Sequence, residues 1–252
     1  MSKCIVFVNQ KGGVGKTTSA INIGAYIALA GKKVLLVDFD SQGNMSSGVG
    51  VTKDKPTVYE LLAGMVKPEE AVKHTPVQNL DAISASIDLS GAAIELVDQE
   101  NREYFLKNAL EPLKSQYDYI LIDCPPSLGL IVDNALYASD SVLIPVECSF
   151  YAYDALTQMI NKIDKVQKEK DIEIEGILIT KLDNRTTVGY DIVDKVKFLF
   201  PNKIFKTIIT YSTHIQVAPS VGQSLLEYSI NSRGSKEYKA LALEILGENN
   251  ND

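Results

Sequence analysis

The sequence predicts an α/β protein: a single doubly wound, mostly parallel sheet with helices on both faces. Apolar runs of strand length alternate along the chain with longer segments of helical period. The runs are apolar at successive positions, as expected for strands covered on both faces. Ligands in such folds bind at the carboxyl ends of the strands, so the residues that follow each run are the candidates for function. The predicted strands are residues 4–8, 33–38, 119–123, 141–146, 176–180 and 204–209.

Helical segments complete the alternation. The first helix is expected across residues 17–30, and Gly31 supplies the glycine that commonly ends a helix. No repeat, low-complexity tract or linker divides the chain, so residues 1–246 are expected to form one domain. Residues 247–252 are too polar to pack and are expected to be a disordered tail. Further helices are expected near residues 57–63, 101–115, 129–138, 151–169, 187–199 and 235–246.

Composition limits the classes of function. The chain has 252 residues with a net charge of −7, which argues against nucleic-acid binding by bulk charge and leaves only a local basic face. Cys4, Cys124 and Cys148 are too scattered for a disulfide framework or a zinc cluster, and are expected to be small buried hydrophobes. Because the sequence shows no leader-like segment and no long apolar run, we expect a cytoplasmic protein without stable membrane binding.

A glycine-rich segment lies between the first predicted strand and the first predicted helix. It reads Lys-Gly-Gly-Val-Gly-Lys-Thr-Thr at 11–18. Gly12, Gly13 and Gly15 allow a tight turn that directs backbone N–H groups at a phosphate, and the positive end of the following helix adds to the same point. A strand, this turn and Gly-Lys-Thr opening a helix together form a specific signal for nucleotide binding.

The side chains of this segment have roles that follow from its chemistry. Lys16 can reach the β- and γ-phosphate oxygens, and the Thr17 hydroxyl is placed to ligate Mg²⁺. The usual pattern begins with glycine where this chain has Gln10, and Lys11 stands next to it. The expected nucleotide-binding residues are Lys11, Gly12, Gly13, Val14, Gly15, Lys16, Thr17 and Thr18.

Three aspartates lie at or just after the ends of predicted strands. Asp38 and Asp40 are two residues apart, which in an extended segment puts both side chains on one side. A carboxylate there can orient a water molecule for attack on a γ-phosphate, although two aspartates could also simply cap a loop. Asp123 ends an apolar strand, where a charge is costly without a partner, and a magnesium-bound water is a natural one.

The departure at the start of the glycine-rich segment points to a family. Residues 11–18 resemble the deviant Walker A motif of the ParA/MinD ATPases, whose extra lysine, here Lys11, reaches across a nucleotide sandwich dimer. Residues 37–44 resemble the second motif of that family, with Ser41 where proline is usual, and residues 120–127 resemble its Walker B strand and loop. The resemblance covers essentially the whole chain and is closest to Soj-type partition proteins. It continues through residues 145–148, 180–185, 218–220 and 232–234.

The resemblance implies a slow, Mg²⁺-dependent ATP hydrolase that forms a homodimer with ATP. Such proteins bind DNA without sequence preference as the ATP dimer, release it after hydrolysis, and respond to a ParB-like activator during chromosome or plasmid partition. A nucleoid-associated location is therefore implied. By resemblance, Asp40 promotes hydrolysis and Asp38 supports the magnesium site through water. The implied catalytic residues are Lys11, Lys16 and Asp40, and the implied metal-site residues are Thr17, Asp38 and Asp123.

Other functions of this fold fit less well. A MinD-like protein would carry a basic amphipathic helix where this sequence ends in acidic and asparagine residues. A nitrogenase-type iron protein needs two cysteines per subunit at a cluster, and neither Cys124 nor Cys148 is well placed for one. A ligase such as a dethiobiotin synthetase would normally lack the Lys11 signature, and a bacterial tyrosine kinase would carry a terminal tyrosine cluster.

The chain departs from the family at positions implied in DNA binding. Arg185 matches a DNA-contacting arginine of Soj-like proteins, but Tyr211 and His214 stand where such proteins usually have arginines. Lysines on the following helix could replace them, or could form only a solvated face. An ATPase that positions another cargo, with weak or no DNA binding, is therefore the alternative. The candidate DNA contacts are Arg185, Lys195 and Lys197, with Lys203 and Lys206 nearby.

Overall fold

The computed structural model describes residues 2–149, 152–185 and 187–248. Within these ranges the strands are β1 (Lys3–Phe7), β2 (Val34–Asp38), β3 (Val72–His74), β4 (Leu80–Ile83), β5 (Tyr119–Asp123), β6 (Ser141–Glu147) and β7 (Glu173–Thr180). They form one seven-stranded sheet in the order β3-β4-β2-β5-β1-β6-β7. Every pairing is parallel except that of the edge strand β3 with β4.

Helices cover both faces of this sheet, which confirms the predicted doubly wound fold. One face packs on the first two and the last three of the described helices, and the other face packs on the six helices between them. Side chains alternate between the two cores along each strand: on β1, Cys4 and Val6 face one core while Ile5 and Phe7 face the other. The helices are α1 (Lys16–Leu29), α2 (Asn44–Gly48), α3 (Val58–Leu62), α4 (Leu89–Glu95), α5 (Phe105–Leu110), α6 (Leu130–Ala138), α7 (Ala152–Val166), α8 (Thr187–Leu199), α9 (Thr213–Val217), α10 (Leu225–Tyr228) and α11 (Arg233–Leu246).

Strand register places three chain segments side by side at one edge of the sheet. In the parallel ladders, Phe7 of β1 pairs with Asp123 of β5, and Asp123 also pairs with Asp38 of β2. The three strands therefore end level with one another, and the residues that follow them share one location. That location is the carboxyl edge, where parallel α/β sheets bind ligands.

The prediction of a strand at residues 204–209 is wrong. The segment touches β7 through isolated bridges, Ile177 with Ile204 and Leu182 with Thr210. Between those bridges, the backbone N–H groups of Lys206 and Thr207 donate to the carboxylate of Glu244 on α11, at 2.7 and 3.1 Å. Because a side chain accepts these hydrogen bonds, the segment does not form a continuous ladder.

Other differences concern short elements and the chain end. The strands β3 and β4 and the helices α2, α4, α9 and α10 were not predicted, and the helix expected at 101–115 is limited to α5 and a 3₁₀ turn at Glu111–Leu113. Residues 249–252 of the expected tail lie outside the described residues. A single domain over 1–246 stays a prediction. Among the described helices, none is long and apolar enough to cross a membrane.

Candidate functional site

The glycine-rich segment forms a loop between β1 and α1. Gly13 and Gly15 have φ of +75° and +91°, a left-handed conformation that side chains rarely adopt. Gly15 is the residue that precedes the first turn of α1, so the free N–H groups of the helix face the loop. Val14 is buried, and its carbonyl accepts a hydrogen bond of 2.8 Å from the Thr180 hydroxyl. The end of β7 thus fixes the shape of the loop.

Lys16 is a buried cation whose charge is only partly balanced by neighbouring groups. It is 6% exposed, and its Nζ donates to the Asn9 carbonyl at 3.2 Å. Burial lowers the pKa of Lys16, and the charges of Asp123, Cys124 and Asp40 oppose that effect only in part. An ammonium held in such a position is suited to receive an anion. Thr17 and Thr18 follow it on α1 and are half-buried.

Asp38 and Asp123 lie on adjacent strands and are both fully buried. The Oδ2 atom of Asp38 accepts from the backbone N–H and the hydroxyl of Ser46, at 2.8 and 2.6 Å. Burial raises the pKa of Asp38 to about 6. Within the described residues, neither carboxylate oxygen of Asp123 has a hydrogen-bond partner. Burial raises the pKa of Asp123 to about 8, with a further rise from Asp38 and opposing effects from Thr17 and Lys16.

The carboxylates make this site suitable for a divalent cation. The buried carboxylates of Asp38 and Asp123, with the nearby Thr17 hydroxyl that lowers the pKa of Asp123, offer the hard oxygen ligands that Mg²⁺ prefers. Asp40 lies in the loop after β2, is half-buried, and accepts from the Gln42 N–H at 3.1 Å. Its charge raises the pKa of both Lys16 and Asp123, which puts it at the same site. The structure thus brings together the predicted loop and all three predicted aspartates.

The side chain of Lys11 contacts residues at the end of β6. Its Nζ donates to Glu147 Oε2 and to Ser149 Oγ, both at 2.8 Å. The Asn9 side chain supports this arrangement, since its Oδ1 accepts from the Lys11 N–H at 2.9 Å and its amide donates to the Pro145 carbonyl at 2.8 Å. Sequence reasoning assigned no role to Asn9, Ser46, Glu147 or Lys181. Their positions at strand ends are the only sequence signal that could have indicated them.

A cleft opens beside the loop on the side of β7. It is lined by Thr18, Lys181, Tyr211, Ile215 and Gln216, among others. The cleft borders Gly15 and the start of α1, so it adjoins the place where the loop would hold phosphate groups. The sequence did not indicate which residues would contact a base, and these residues are the candidates.

Two of the candidate DNA contacts, Arg185 and Lys195, are already engaged within the chain. The Arg185 guanidinium makes two hydrogen bonds to Asp183, Nε–Oδ1 at 2.8 Å and Nη2–Oδ2 at 2.7 Å. The Lys195 ammonium lies 4.9 Å from the centre of the Tyr153 ring, a cation–π contact. Lys197 is exposed on α8. Arg185 nevertheless remains accessible, since its side chain is 82% exposed.

The fold and this loop define a P-loop nucleotide hydrolase of the ParA/MinD type. A family model described as an AAA domain matches residues 2–176. The chromosome-partitioning ATPase Soj of Treponema pallidum is 50% identical over 248 residues, covering 98% of this chain and 98% of that protein. The chain belongs to the Soj/ParA family of chromosome-partitioning ATPases, as the sequence predicted.

Solved structures agree with this assignment. A cobyrinic acid a,c-diamide synthase from Mycobacterium smegmatis with a bound ATP analogue and magnesium is 34% identical, has a TM-score of 0.86, and covers 98% of this chain and 95% of its own. A plasmid partition protein from Borrelia burgdorferi bound to AMPPNP is 28% identical, with a TM-score of 0.83 and 98% of both chains covered. The predicted ATP hydrolase activity and the cofactors ATP and Mg²⁺ are confirmed at the level of the family.

Proposed function

We propose that this chain is an ATP-dependent dimerising switch for chromosome or plasmid partition. It binds DNA without sequence preference as the ATP dimer and leaves DNA after hydrolysis, and a ParB-like partner stimulates that step. The observation that carries the proposal is the buried, poorly compensated Lys16 in a loop with positive φ at Gly13 and Gly15, next to the unpartnered carboxylate of Asp123. Such an arrangement is stable chiefly when an anion and a cation occupy it together.

Each residue of the site has a role that follows from its position. Lys16 and the N–H groups of the loop hold the phosphates. Thr17 supplies a hydroxyl ligand for Mg²⁺, and Asp38 and Asp123 support the ion through their carboxylates. Bound Mg²⁺ neutralises the charge that develops on the phosphate oxygens. Asp40, which is half-buried rather than sealed in the core, orients the attacking water.

ATP-dependent dimerisation is the step that couples nucleotide binding to DNA binding. The side chain of Lys11 is 33% exposed, so it is not enclosed by its own subunit. We infer that it reaches the phosphates of the partner subunit in the ATP dimer. The small cleft that includes Tyr211 and Gln216 also borders Gly15 and Thr18, so its residues are the candidates for contact with the adenine base.

DNA binding by the dimer is supported by a pair of arginines. In the amide orientation that satisfies both groups, the Asn184 oxygen accepts from Nη1 and Nη2 of Arg233, at 3.0 and 2.8 Å. This contact ties the segment that carries Arg185 to Arg233. Each arginine also has a carboxylate partner, Asp183 for Arg185 at 2.7 Å and Glu237 for Arg233 at 2.9 Å, so a DNA phosphate would bind this local basic patch by replacing those partners. Pairing two subunits would double that patch, so DNA affinity should follow dimerisation.

Positioning of another cargo is the second candidate. The ammonium of Lys195 contacts the Tyr153 ring, and Tyr211 and His214 stand where relatives usually have arginines, so the basic patch is small.

Synthesis of a cobyrinic acid derivative is less well supported than partition. The synthase named among the solved structures is less similar to this chain than Soj is, at 34% against 50% identity.

Duplex binding tests the proposal. Unrelated DNA duplexes are titrated with the protein in ATP, in ADP and without nucleotide, at two salt concentrations. We expect binding only with ATP, equal for the different sequences and weaker at higher salt. Tight binding without nucleotide or a strong preference for one sequence would contradict the switch. Binding in none of the conditions would favour the cargo-positioning function.

A further inference from the structure

One carboxylate holds two lysines at the mouth of the P-loop. The Nζ atom of Lys11 lies 2.8 Å from Glu147 Oε2, and that of Lys181 lies 3.6 Å from Glu147 Oε1. Burial alone would raise the pKa of Glu147, but the hydrogen bond from Lys11 and the charge of Lys181 outweigh it and leave that pKa below its usual value. The carboxylate is therefore ionised at neutral pH, between two ammonium groups.

The backbone places Lys181 over the loop at some cost. Lys181 has φ of +53°, a conformation that is uncommon outside glycine. The preceding residue, Thr180, fixes this position through its hydrogen bond to the carbonyl of Val14 in the loop. A Cβ atom built on Gly13 would lie 4.0 Å from the ammonium of Lys181, so that cation adjoins the loop itself. Strain retained next to a binding site is commonly tied to its function.

Together these three side chains carry a net positive charge, which can bind the phosphate groups of a nucleotide. Two ammonium groups face one carboxylate, and both also lie within reach of the loop that would hold the nucleotide. A triphosphate carries more negative charge than a carboxylate and so competes with Glu147 for both cations. A diphosphate competes less well. We therefore expect ATP to draw these lysines away from Glu147 more strongly than ADP does, before any partner subunit arrives.

We propose that Glu147 is a latch that holds Lys11 and Lys181 on their own subunit, and that the phosphates of ATP release Lys11 from it. This inference rests on the proposed role of Lys11 across the dimer. While Lys11 donates to Glu147 and Ser149 of its own chain, it is not free to contact a second subunit. Release by ATP makes dimerisation conditional on the nucleotide. Glu147 is thus a positioning residue that acts through Lys11.

A second lysine–glutamate pair in the same sheet provides a matched control. Lys3 Nζ lies 2.7 Å from Glu175 Oε1, and the Ser141 hydroxyl donates to Glu175 Oε2 at 2.7 Å. Glu175 thus holds one lysine and one hydroxyl, where Glu147 holds two lysines. Because Lys3 begins β1, this pair lies at the opposite edge of the sheet from the loop. Glu147→Gln and Glu175→Gln remove the same charge.

The test measures the ATP concentration that gives half-maximal dimer in sedimentation velocity. We expect Glu147→Gln to lower that concentration about two- to fivefold, the range for a partly exposed ion pair, and the difference to shrink at higher salt. Glu175→Gln should behave as the parent. Affinity for a non-hydrolysable ATP analogue, measured by calorimetry, should rise in parallel for Glu147→Gln. If Glu147→Gln needs as much ATP as the parent, or more, the latch is refuted.

Two further variants separate the latch from the function on which it rests. Lys181→Met should raise the ATP concentration required for dimerisation. Because Lys181 and Glu147 contact each other, the effect of Lys181→Met should be different in the Glu147→Gln background. Additive effects of the two substitutions would contradict this coupling. Lys11→Ala should not dimerise with ATP. If Lys11→Ala dimerises as the parent does, the proposed function itself fails. If it does not dimerise but Glu147→Gln is unchanged, only the latch fails.

Discussion

Replacing Lys16 by methionine removes the ammonium of the P-loop and keeps an apolar stem of similar length. In the nucleotide-free protein this group contributes little, since its hydrogen bond to the Asn9 carbonyl is 3.2 Å long and burial lowers its pKa. Asp123 can accept a proton when the neighbouring charge is lost, because its pKa is already raised to about 8. We therefore expect the free energy of unfolding of Lys16→Met to stay within about 1 kcal/mol of the parent.

Nucleotide binding should respond quite differently. Removing one partner of a desolvated charge pair costs about 2–5 kcal/mol, or roughly 30- to 4,000-fold in Kd. At an ATP concentration of about 100 times the parent Kd, the ligand stabilises the parent by about 2.7 kcal/mol, whereas Lys16→Met would gain less than about 0.9 kcal/mol. For a chain of this size these values correspond to a rise in Tm of roughly 5–11 °C for the parent and under about 4 °C for the variant.

Thermal unfolding with and without Mg-ATP measures both quantities. Lys170→Met is the control, because the Lys170 ammonium is also partly buried but donates to carbonyls at the end of α6, those of Leu136 at 3.4 Å and Tyr137 at 3.0 Å. It should lower the Tm of the free protein and leave the rise caused by ATP intact. A full ATP-dependent rise in Lys16→Met would refute the assignment of the phosphate site.

Three other substitutions test separate parts of the structure. Asp40→Ala should keep the ATP-dependent rise in Tm but slow steady-state ATP hydrolysis about 100-fold, and an unchanged rate would exclude Asp40 from water positioning. Arg185→Ala should weaken duplex binding equally on unrelated sequences and flatten its salt dependence; loss of basal hydrolysis would instead indicate a structural role. Glu60→Gln should destabilise the protein by about 1 kcal/mol near neutral pH, after allowance for the exposed Lys55 partner. Although burial opposes it, hydrogen bonds from Lys55 and Thr57 lower the pKa of Glu60 to about 2, so this stability is present above pH 4.5 and lost toward pH 2; a difference that persists at pH 2 would contradict the pairing.

The sequence was sufficient for those parts of the site that depend on strand ends. Apolar runs located β2 and β5, and the rule that parallel strands end at one edge was enough to bring Asp38 and Asp123 together. The loop at 11–18 could be predicted because its glycines and the helix after it fix a local conformation. These features depend on neighbours in sequence, or on a single regular packing rule.

Features that depend on particular side-chain pairs could not be predicted in this way. The contacts of Glu147 with Lys11 and Lys181 join residues from separate strand ends, and no spacing in the sequence specifies them. The same holds for Lys195, whose contact with Tyr153 links α8 to α7. The segment 204–209 has the composition of a strand, but Glu244 from a distant helix accepts the hydrogen bonds that a ladder would need.

Mixing two defective variants tests most directly whether a nucleotide site is completed by the partner subunit. Lys11→Ala retains its own P-loop but supplies no lysine to a partner, whereas Lys16→Met supplies Lys11 but binds ATP poorly. A mixed dimer contains one complete site, formed by the loop of the first variant and the Lys11 of the second. We predict that ATP hydrolysis, measured at constant total protein, rises when the two are mixed and is nearly absent in each alone. Hydrolysis by Lys11→Ala alone at the parent rate, or no rise on mixing, would contradict the ATP-dependent dimer as the working form of this protein.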